Sequence, residues 1–502
     1  MRVLFTIYPN SIAHLYPVVP LAWALQSAGH EVRIASHASA AEQISSTGLT
    51  PVALGDPDGP PVRLTDAGSA PKTPEDVDRY ARAMGLTAEE RERWITFYQY
   101  LFVPISDYVR MDRPEAADLV DFARSWRPDL VLWDVTIPGG AVAARACGAA
   151  HARLANGEDV FAFCLERLAE CADQLRAAGL DENPLATMLR PLAERYGIEV
   201  DKELLIGQWT VDSIPEGMGL PSRATRVHMR HVPYAGPQVF PTWLHEVPER
   251  PRVAMSLGES TRRFIVGDWD RTPKIMEALD GLDLEVVATL NSAQLDGVKR
   301  VPDNVRTIEW VNLTHLLPTC SALIHHGGIG TYSAAAVAKV PHLVCDIKDE
   351  SLLLKLAGEQ PDPLQSGLYQ VGIELGLREQ TAAPAGNWEL PAKKIEATPV
   401  SSFVIAQGSG ARLDHRAQSV EEMRDLILEV ATADSYRQGA AAVYEQWLAT
   451  PSPGDIVPVL ERMTIEHRQG SHMALQEARS LATAIGRHKA EIDGLLANLN
   501  RR

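Results

Sequence analysis

Cysteine is scarce, and its spacing is uninformative for metal binding. The chain has five cysteines in 502 residues, an odd number, and no two of them are three positions apart as in a CxxC motif. These counts argue against a disulfide framework and against a structural zinc site. They predict reduced thiols in a cytoplasmic protein. The five are Cys147, Cys164, Cys171, Cys320 and Cys345.

Long apolar runs and excess positive charge are also lacking. The N-terminal run MRVLFTI is ended by Pro9, Asn10 and Ser11, which makes it too short for a signal segment or a membrane span. It predicts a first β-strand instead. The formal net charge is −17, so no basic field is available for nucleic acid. Neither a membrane nor a nucleic-acid partner is expected.

What remains is an ordinary globular composition, with 45% hydrophobic and 23% charged residues. A chain of 502 residues exceeds one hydrophobic core, which predicts about two domains. Buried-type runs at Arg2–Ile7 and Glu31–Ser36 flank a helical pattern at Pro20–Ala28. This order is typical of a right-handed βαβ unit. The loop Tyr8–Tyr16 separates the first strand from the helix.

The same pattern restarts in the second half, with predicted strands at Arg252–Leu257 and Leu284–Thr289. The fold class is therefore α/β, with two doubly wound domains. The predicted divisions are an N-terminal domain at 1–233, a proline-rich linker at 234–251, a C-terminal domain at 252–450 and C-terminal helices at 451–502.

Two segments depart from this pattern. Residues 348–400 read as an irregular insert, with regular structure resuming at Val404. The stretch Gly470–Met473 reads GSHM, which is typical of a cloning remnant. Residues 471–502 therefore either derive from an expression vector or form an amphipathic helix that packs on the body or on a partner.

The most informative stretch runs from Cys320 to Asp346. An apolar strand is followed by HHGGIGT, an alanine-rich helix and a second apolar strand. Glycines allow the backbone N–H groups to approach a ligand, and the helix N-terminus carries partial positive charge. The alternatives are a phosphate site and an ordinary tight turn. The histidine pair His325–His326 favours the phosphate site, since a turn needs no imidazole.

Several strings together resemble one family. HHGGIGTYSAAAVAKVPHLV is similar to the donor-site signature of GT-B glycosyltransferases, and the first 36 residues are similar to the start of their acceptor domain. SWRPDLVLWD, ELLIGQWTVD and PSPGDIVPVLE resemble the actinobacterial enzymes that attach deoxysugars to macrolides and other polyketides, notably the desosaminyltransferases. The resemblance covers residues 1–346 and 403–463. It implies two Rossmann-like domains facing a cleft.

The resemblance also implies an activity. The chain would be an inverting glycosyltransferase that needs no metal and no cofactor beyond its sugar nucleotide. The expected donor is a dTDP-deoxysugar, with a UDP-sugar as the alternative, and the expected acceptor is an apolar polyketide aglycone. Further expected partners are an inactive P450-like helper protein and a second copy in a homodimer.

Two residues match the catalytic pair of the family. His14 matches the general base, which takes a proton from the acceptor hydroxyl. Asp134 matches the acid that orients this base. Without the resemblance, His14 would read as a surface loop histidine, and Asp134 as a cap of the turn after its strand.

The remaining matches concern the donor. His326, Gly328, Gly330 and Thr331 match the diphosphate site, and Ser256 and Gly258 match a second phosphate-contacting turn. Trp310 and Val311 match the pocket for the nucleotide base, although Trp310 could equally belong to the core. His325 is expected to be structural.

The sugar-contacting acid is the least determined residue. Asp346, Asp349 and Glu350 compete for this role, and the insert disturbs the pattern here, which favours Asp349 or Glu350. Aromatic residues within Thr73–Val109 fit either a helper-protein interface or an apolar acceptor cleft, and we favour the cleft.

Three alternatives have different sequence consequences. A GT-B sugar-nucleotide epimerase would share the diphosphate site but would not need an apolar acceptor cleft. A catalytically inactive binding partner would have a donor site spoiled by the insert. A Rossmann dehydrogenase would need a GxGxxG motif after the first strand, and none is present.

Overall fold

The computed structural model describes most of the chain. The described residues are 1–9, 11–59, 74–88, 90–91, 94, 109, 113–258, 271–292, 294–347, 353–355, 389–391 and 397–468. Within these ranges, no helix is long and apolar enough to cross a membrane.

A seven-stranded parallel sheet forms the N-terminal domain, in the order β3-β2-β1-β4-β5-β6-β7. Its strands are β1 (Arg2–Thr6), β2 (Glu31–His37), β3 (Thr50–Leu54), β4 (Leu130–Asp134), β5 (Ala150–Ala155), β6 (Trp209–Asp212) and β7 (Arg226–His228). Successive side chains of a strand point to opposite faces of the sheet. Leu4 accordingly packs into the hydrophobic cluster on one face, whereas Val3 and Phe5 pack into the cluster on the other. Both faces are covered, which explains the almost continuous apolar sequence of β1.

Helices cover both faces of this sheet. They are α1 (Ile12–Leu15), α2 (Val19–Ser27), α3 (Ala41–Ser46), α4 (Pro74–Ala83), α5 (Pro114–Trp126), α6 (Gly139–Cys147), α7 (Val160–Glu170), α8 (Ala172–Ala177), α9 (Pro184–Arg195) and α10 (Lys202–Ile206). The predicted loop Tyr8–Tyr16 is wrong in part, because it contains α1 and leads into a 3-10 turn at Tyr16–Val18. A four-residue helix is too short to show a 3.6-residue period in the sequence.

A six-stranded parallel sheet forms the C-terminal domain, in the order β10-β9-β8-β11-β12-β15. Its strands are β8 (Arg252–Ser256), β9 (Glu285–Thr289), β10 (Val305–Ile308), β11 (Ala322–His325), β12 (His342–Cys345) and β15 (Gly410–Leu413). Its helices are α11 (Arg271–Leu279), α12 (Leu313–Leu316), α13 (Ile329–Ala338), α14 (Ala397–Ala406), α15 (Val420–Thr432) and α16 (Asp434–Ala449). Two parallel, helix-flanked sheets confirm the predicted α/β fold class.

The prediction of an irregular insert at 348–400 is wrong in two respects: the segment contains regular structure, and regular structure resumes earlier than predicted. It contains a short antiparallel pair, β13 (Leu353–Lys355) and β14 (Glu389–Pro391). Regular structure resumes at Ala397 with α14, seven residues before the predicted Val404. The start of α14 was not predicted because Ala397-Thr398-Pro399 carries no strong helix signal of its own.

The last described helix, α17 (Pro453–His467), returns to the N-terminal domain. Ser452 caps it in a reciprocal capping box with Asp455, and Ile456 and Leu460 pack into the same cluster as Phe5. The predicted terminal helix is thus present, but it belongs structurally to the first sheet. The chain therefore passes between the two domains twice, once through the linker and once between α16 and α17.

Buried histidines predict how stability responds to acid. Burial lowers the pKa of His151 on β5 and of His342 on β12 to about 3 each, from an ordinary 6.5. Below pH 6.5 the unfolded chain binds protons that the folded protein excludes, so stability falls with falling pH. Between pH 7.5 and 5.5, each should cost about 1.4 kcal/mol of unfolding free energy.

We expect urea denaturation to show this loss of unfolding free energy between pH 7.5 and 5.5. His151→Leu should reduce the loss by the contribution of one histidine. His228→Leu, at an exposed position of β7, is the matched control and should leave it unchanged. Equal unfolding free energies at pH 7.5 and 5.5 would contradict the prediction.

Candidate active site

A cavity of about 230 Å³ lies between the two domains. Its lining residues come mostly from segments that follow the carboxyl ends of strands in both sheets. In parallel α/β sheets this edge is where ligands bind. From the N-terminal domain and the linker these are Ile12, Ala13, Tyr16, Pro17, Asn156, His231, Pro233, Tyr234 and Ala235. From the C-terminal domain they are Ser256, Gly258, Thr289, Trp310, Val311, Asn312, Leu313, Thr314, His326, Gly328, Ile329, Gly330, Thr331 and Ala334.

His14 and Asp134 are brought together by the pairing of β1 with β4. His14 lies on α1, whose Ile12 and Ala13 line the cavity, and Asp134 is the last residue of β4. Their side chains meet with 2.5 Å between His14 Nδ1 and Asp134 Oδ2. The imidazole is 30% exposed and the carboxylate 3%. The ring therefore reaches solvent on one side while its Nδ1 is held on the other.

Asp134 uses both of its oxygens. Oδ1 accepts hydrogen bonds from the backbone N–H and the hydroxyl of Thr136, at 2.8 and 2.7 Å. Burial alone would raise the pKa of Asp134, but the charge and hydrogen bond of His14, with the bonds from Thr136, hold it below its ordinary value. Asp134 can thus cap the turn after β4 and orient His14 at the same time, since each interaction uses a different carboxylate oxygen.

The glycine turn forms the opposite wall. Gly328 precedes α13 and has no side chain that could accept hydrogen bonds from the N–H groups of the first helical turn. Gly328, Gly330 and Thr331 line the cavity there. The first-turn N–H groups and the helix dipole make this end suited to an anion. Three of the predicted donor residues therefore share one wall with His326.

The turn after β8 and the turn after β11, both predicted to contact phosphate, interlock at His326. Gly258 has a φ of +87°, and a Cβ added there would lie 2.5 Å from the His326 ring. His326 is 3% exposed, and its Nδ1 lies 3.4 Å from the carbonyl oxygen of Ser256, which can only accept. The missing side chain of Gly258 thus makes room for the imidazole between β8 and β11.

His325 lies beneath the turn rather than in the cavity. Its Nδ1 accepts a hydrogen bond from Gly327 N–H at 3.3 Å, and its Nε2 lies 3.2 Å from His342 Nδ1. Since Nδ1 accepts, Nε2 carries the proton and donates to His342. This relay fixes the position of the Gly327 amide, which fits the structural role expected for His325.

Trp310 and Val311 follow β10 and line the same cavity. Trp310 is 43% exposed, so its alternative assignment to the core is wrong. Val311 is buried. The next residue, Asn312, donates its backbone N–H to Gln238 Oε1 of the linker at 3.0 Å, which holds this pocket against the linker.

Of the competing acidic residues, Asp349 and Glu350 lie outside the described residues. Asp346 is 1% exposed and is engaged by neighbours within its own domain. Its Oδ2 accepts hydrogen bonds from Ser401 Oγ at 2.6 Å and from Arg412 Nε at 2.9 Å. These contacts tie β12 to α14 and β15, so Asp346 has a structural role.

Several cavity residues escaped the sequence interpretation. Asn156 follows β5, and its place after a buried strand was the one available signal. His231 lies between β7 and the linker, and Tyr234 is the first linker residue; the proline-containing sequence here gives no indication of a binding wall. Tyr16 and Tyr234 meet edge to face, with ring centroids 5.0 Å apart. Together they add an aromatic surface to the N-terminal side.

Comparisons with known proteins identify the family. The models described as "Erythromycin biosynthesis protein CIII-like", N-terminal and C-terminal domain, match residues 23–258 and 273–355. The chain is 37% identical to an aclacinomycin-T 2-deoxy-L-fucose transferase of Streptomyces galilaeus, covering 93% of this chain and 97% of that one. The chain belongs to the EryCIII-like family of glycosyltransferases. It is also 34% identical to a 10-deoxymethynolide desosaminyltransferase of Streptomyces venezuelae, over 93% and 98% of the two chains.

A solved structure supports the same assignment for the fold. The EryCIII-like chain matches the glycosyltransferase VinC in complex with dTDP, with a TM-score of 0.65 and 30% identity. The match covers 92% of this chain and 99% of VinC. The fold is therefore GT-B, as predicted, and this EryCIII-like protein is a glycosyltransferase. The individual roles of the site residues stay predictions.

The interlocked turns predict unequal effects of two glycine substitutions. Gly258→Ala places a methyl group against His326 at a positive φ, and we expect it to lower the unfolding free energy by about 1–3 kcal/mol. Gly330→Ala is the matched control, because a Cβ there would meet nothing within 4 Å. It should change stability by less than about 1 kcal/mol. Urea denaturation measures both, and equal losses would contradict the interlocking.

Proposed function

We propose that this protein transfers a deoxysugar from a dTDP-sugar to a polyketide aglycone, with inversion at the anomeric carbon and without a metal ion. One observation carries the proposal: the cavity is bordered by the anion-suited end of α13 and by Ile12 and Ala13, the residues directly before His14, whose ring is bonded to Asp134. The two relatives are named as transferases of 2-deoxy-L-fucose and desosamine, which supports the deoxysugar. The dTDP complex of VinC supports the nucleotide.

The acceptor step uses His14. Its Nδ1 is bonded to Asp134, which leaves Nε2 to take the proton from an acceptor hydroxyl. As the proton moves, the Asp134 carboxylate stabilises the imidazolium that forms. The hydroxyl oxygen then bonds to the anomeric carbon while the bond to the diphosphate oxygen breaks. Attack from the face opposite the leaving group inverts the configuration.

The donor step uses the opposite wall. Negative charge grows on the diphosphate as it leaves, and the first-turn N–H groups of α13, with His326 and Thr331, are positioned to stabilise it. Fixed donors of this kind can replace the metal used in other transferases. Trp310 and Val311 then hold the nucleotide base, the first by stacking and the second through its backbone.

The remaining partner and location assignments rest on the resemblance and on composition. A P450-like helper and a homodimer stay predictions, and residues 95–108, which hold the aromatic part of Thr73–Val109, lie outside the described residues. Tyr16 and Tyr234 support an apolar aglycone at the acceptor side. The five cysteines form no disulfide with one another, which supports the proposed cytoplasmic location.

His14→Ala tests the proposed base. We expect turnover to fall about 10²–10⁴-fold, because base catalysis is lost, while affinity for dTDP stays within about twofold. Turnover is measured by mass spectrometry of the glycoside with a panel of dTDP-deoxysugars and polyketide aglycones, and affinity by calorimetry. His228→Ala, outside the cavity, is the control and should retain both. Near-normal turnover of His14→Ala would rule out this assignment.

Chelation tests metal independence. Turnover in excess EDTA should equal turnover with added Mg²⁺, because the charge of the leaving group is met by backbone and side-chain donors. A loss on chelation that Mg²⁺ restores would overturn this part of the proposal. Release of dTDP without any glycoside product would instead favour the epimerase alternative.

A further inference from the structure

His231 is a buried histidine in the cavity wall without an assigned role. It lies between β7 and the linker, is 7% exposed and lines the cavity. Its Nδ1 is buried and has no hydrogen-bond partner among the residues that the structure describes. Leaving a buried polar atom unpaired costs folding free energy, so the position of this ring calls for an explanation other than packing. Because Nδ1 is shielded, a contact with a ligand in the cavity has to come from Nε2.

The backbone of His231 is held firmly, although its ring is not hydrogen-bonded. Trp447 Nε1 donates to the His231 carbonyl at 2.8 Å. The preceding Arg230 donates its backbone N–H to Pro451 O at 2.8 Å and its guanidinium to Leu448 O at 2.9 Å. The Arg230 guanidinium also lies over the Trp447 ring, 4.8 Å from a centroid. The end of α16 thus determines where the imidazole sits.

The same helix connects His231 to the anion-suited wall. α16 packs against α13, the helix whose first turns contribute Gly330, Thr331 and Ala334 to the cavity. His231 is therefore placed by an element that also supports the diphosphate wall. His14, by contrast, is placed by β1 and β4 of the N-terminal sheet. His231 therefore lies on the N-terminal side of the cavity, but its position is tied to the helix that packs behind the diphosphate wall.

The state of the ring fits this position. Burial, with no acidic neighbour to oppose it, lowers the pKa of His231 to about 4, so the imidazole is neutral near pH 7. A neutral imidazole carries one N–H donor and one acceptor nitrogen. It can donate to a phosphate oxygen without the cost of burying a charge in the unliganded protein.

We propose that His231 is a further donor-binding residue, which donates a hydrogen bond to the diphosphate from the wall opposite α13. The assignment rests on the proposed use of a dTDP-sugar. It adds to the cavity a contact from the N-terminal domain, so that the diphosphate would bridge both domains. A sugar nucleotide would then hold the two walls together through its charged centre.

Calorimetry with dTDP and with thymidine tests the contact. Because a hydrogen bond to a charged group is strong, His231→Ala should weaken dTDP binding about 10–100-fold and leave thymidine binding within about twofold. His231→Gln retains a side-chain N–H and should recover part of the dTDP affinity. His228→Ala, an exposed histidine three positions earlier, is the matched control and should bind dTDP normally.

Three results would overturn the assignment. Unchanged dTDP binding by His231→Ala would show that the ring does not contact the diphosphate. Equal losses for dTDP and thymidine would indicate a distorted cavity, and thermal melting of each variant identifies unfolding. Absence of dTDP binding by the unaltered protein would overturn the proposed function itself, whereas normal binding that is insensitive to residue 231 would overturn this assignment alone.

Discussion

Parallel strand pairing is the constraint on which the site depends. The seven-stranded and the six-stranded sheet are entirely parallel, so in each of them the loops that leave the carboxyl ends of the strands emerge along one edge. Asp134 ends β4, Ser256 ends β8, and His326 directly follows β11. Residues far apart in sequence therefore meet along one edge of each sheet.

The two walls of the cavity stabilise different charges. The protein carries a formal net charge of −17, so an anion must be held by local donors and not by the overall field. Gly258 and Gly328 meet this need through absent side chains, one admitting His326 and the other exposing a helix start. On the other wall, a buried carboxylate is kept charged by its histidine and Thr136. Each charge is therefore stabilised within a few ångströms of where it is needed.

Sequence indicated the features that are local and missed those that arise from packing. The apolar run at Ala322–His325 and the glycines after it predicted a strand and a helix start, because burial on both faces and backbone freedom leave a direct mark on residue type. The resemblance brought His14 and Asp134 together. The partners of Asp346 were not predictable, since Arg412 is 66 positions away and reaches it through the pairing of β12 with β15.

His231 and α17 show the same limit. The sequence predicted a helix in the region of α17, but not that this helix is buried against the first sheet. The position of His231 depends on Trp447, a residue 216 positions later. Neither relation leaves a period or a spacing in the sequence.

The two passages of the chain between the domains also restrict how the cavity can open. Two bodies joined at one point can swivel freely, whereas two bodies joined at two points can rotate only about the line through both. The return passage lies at Thr450–Pro453, next to the contact of Arg230 with Pro451. His231 lies beside this second connection, so a rotation of one domain against the other would displace it less than the parts of the cavity wall far from both connections.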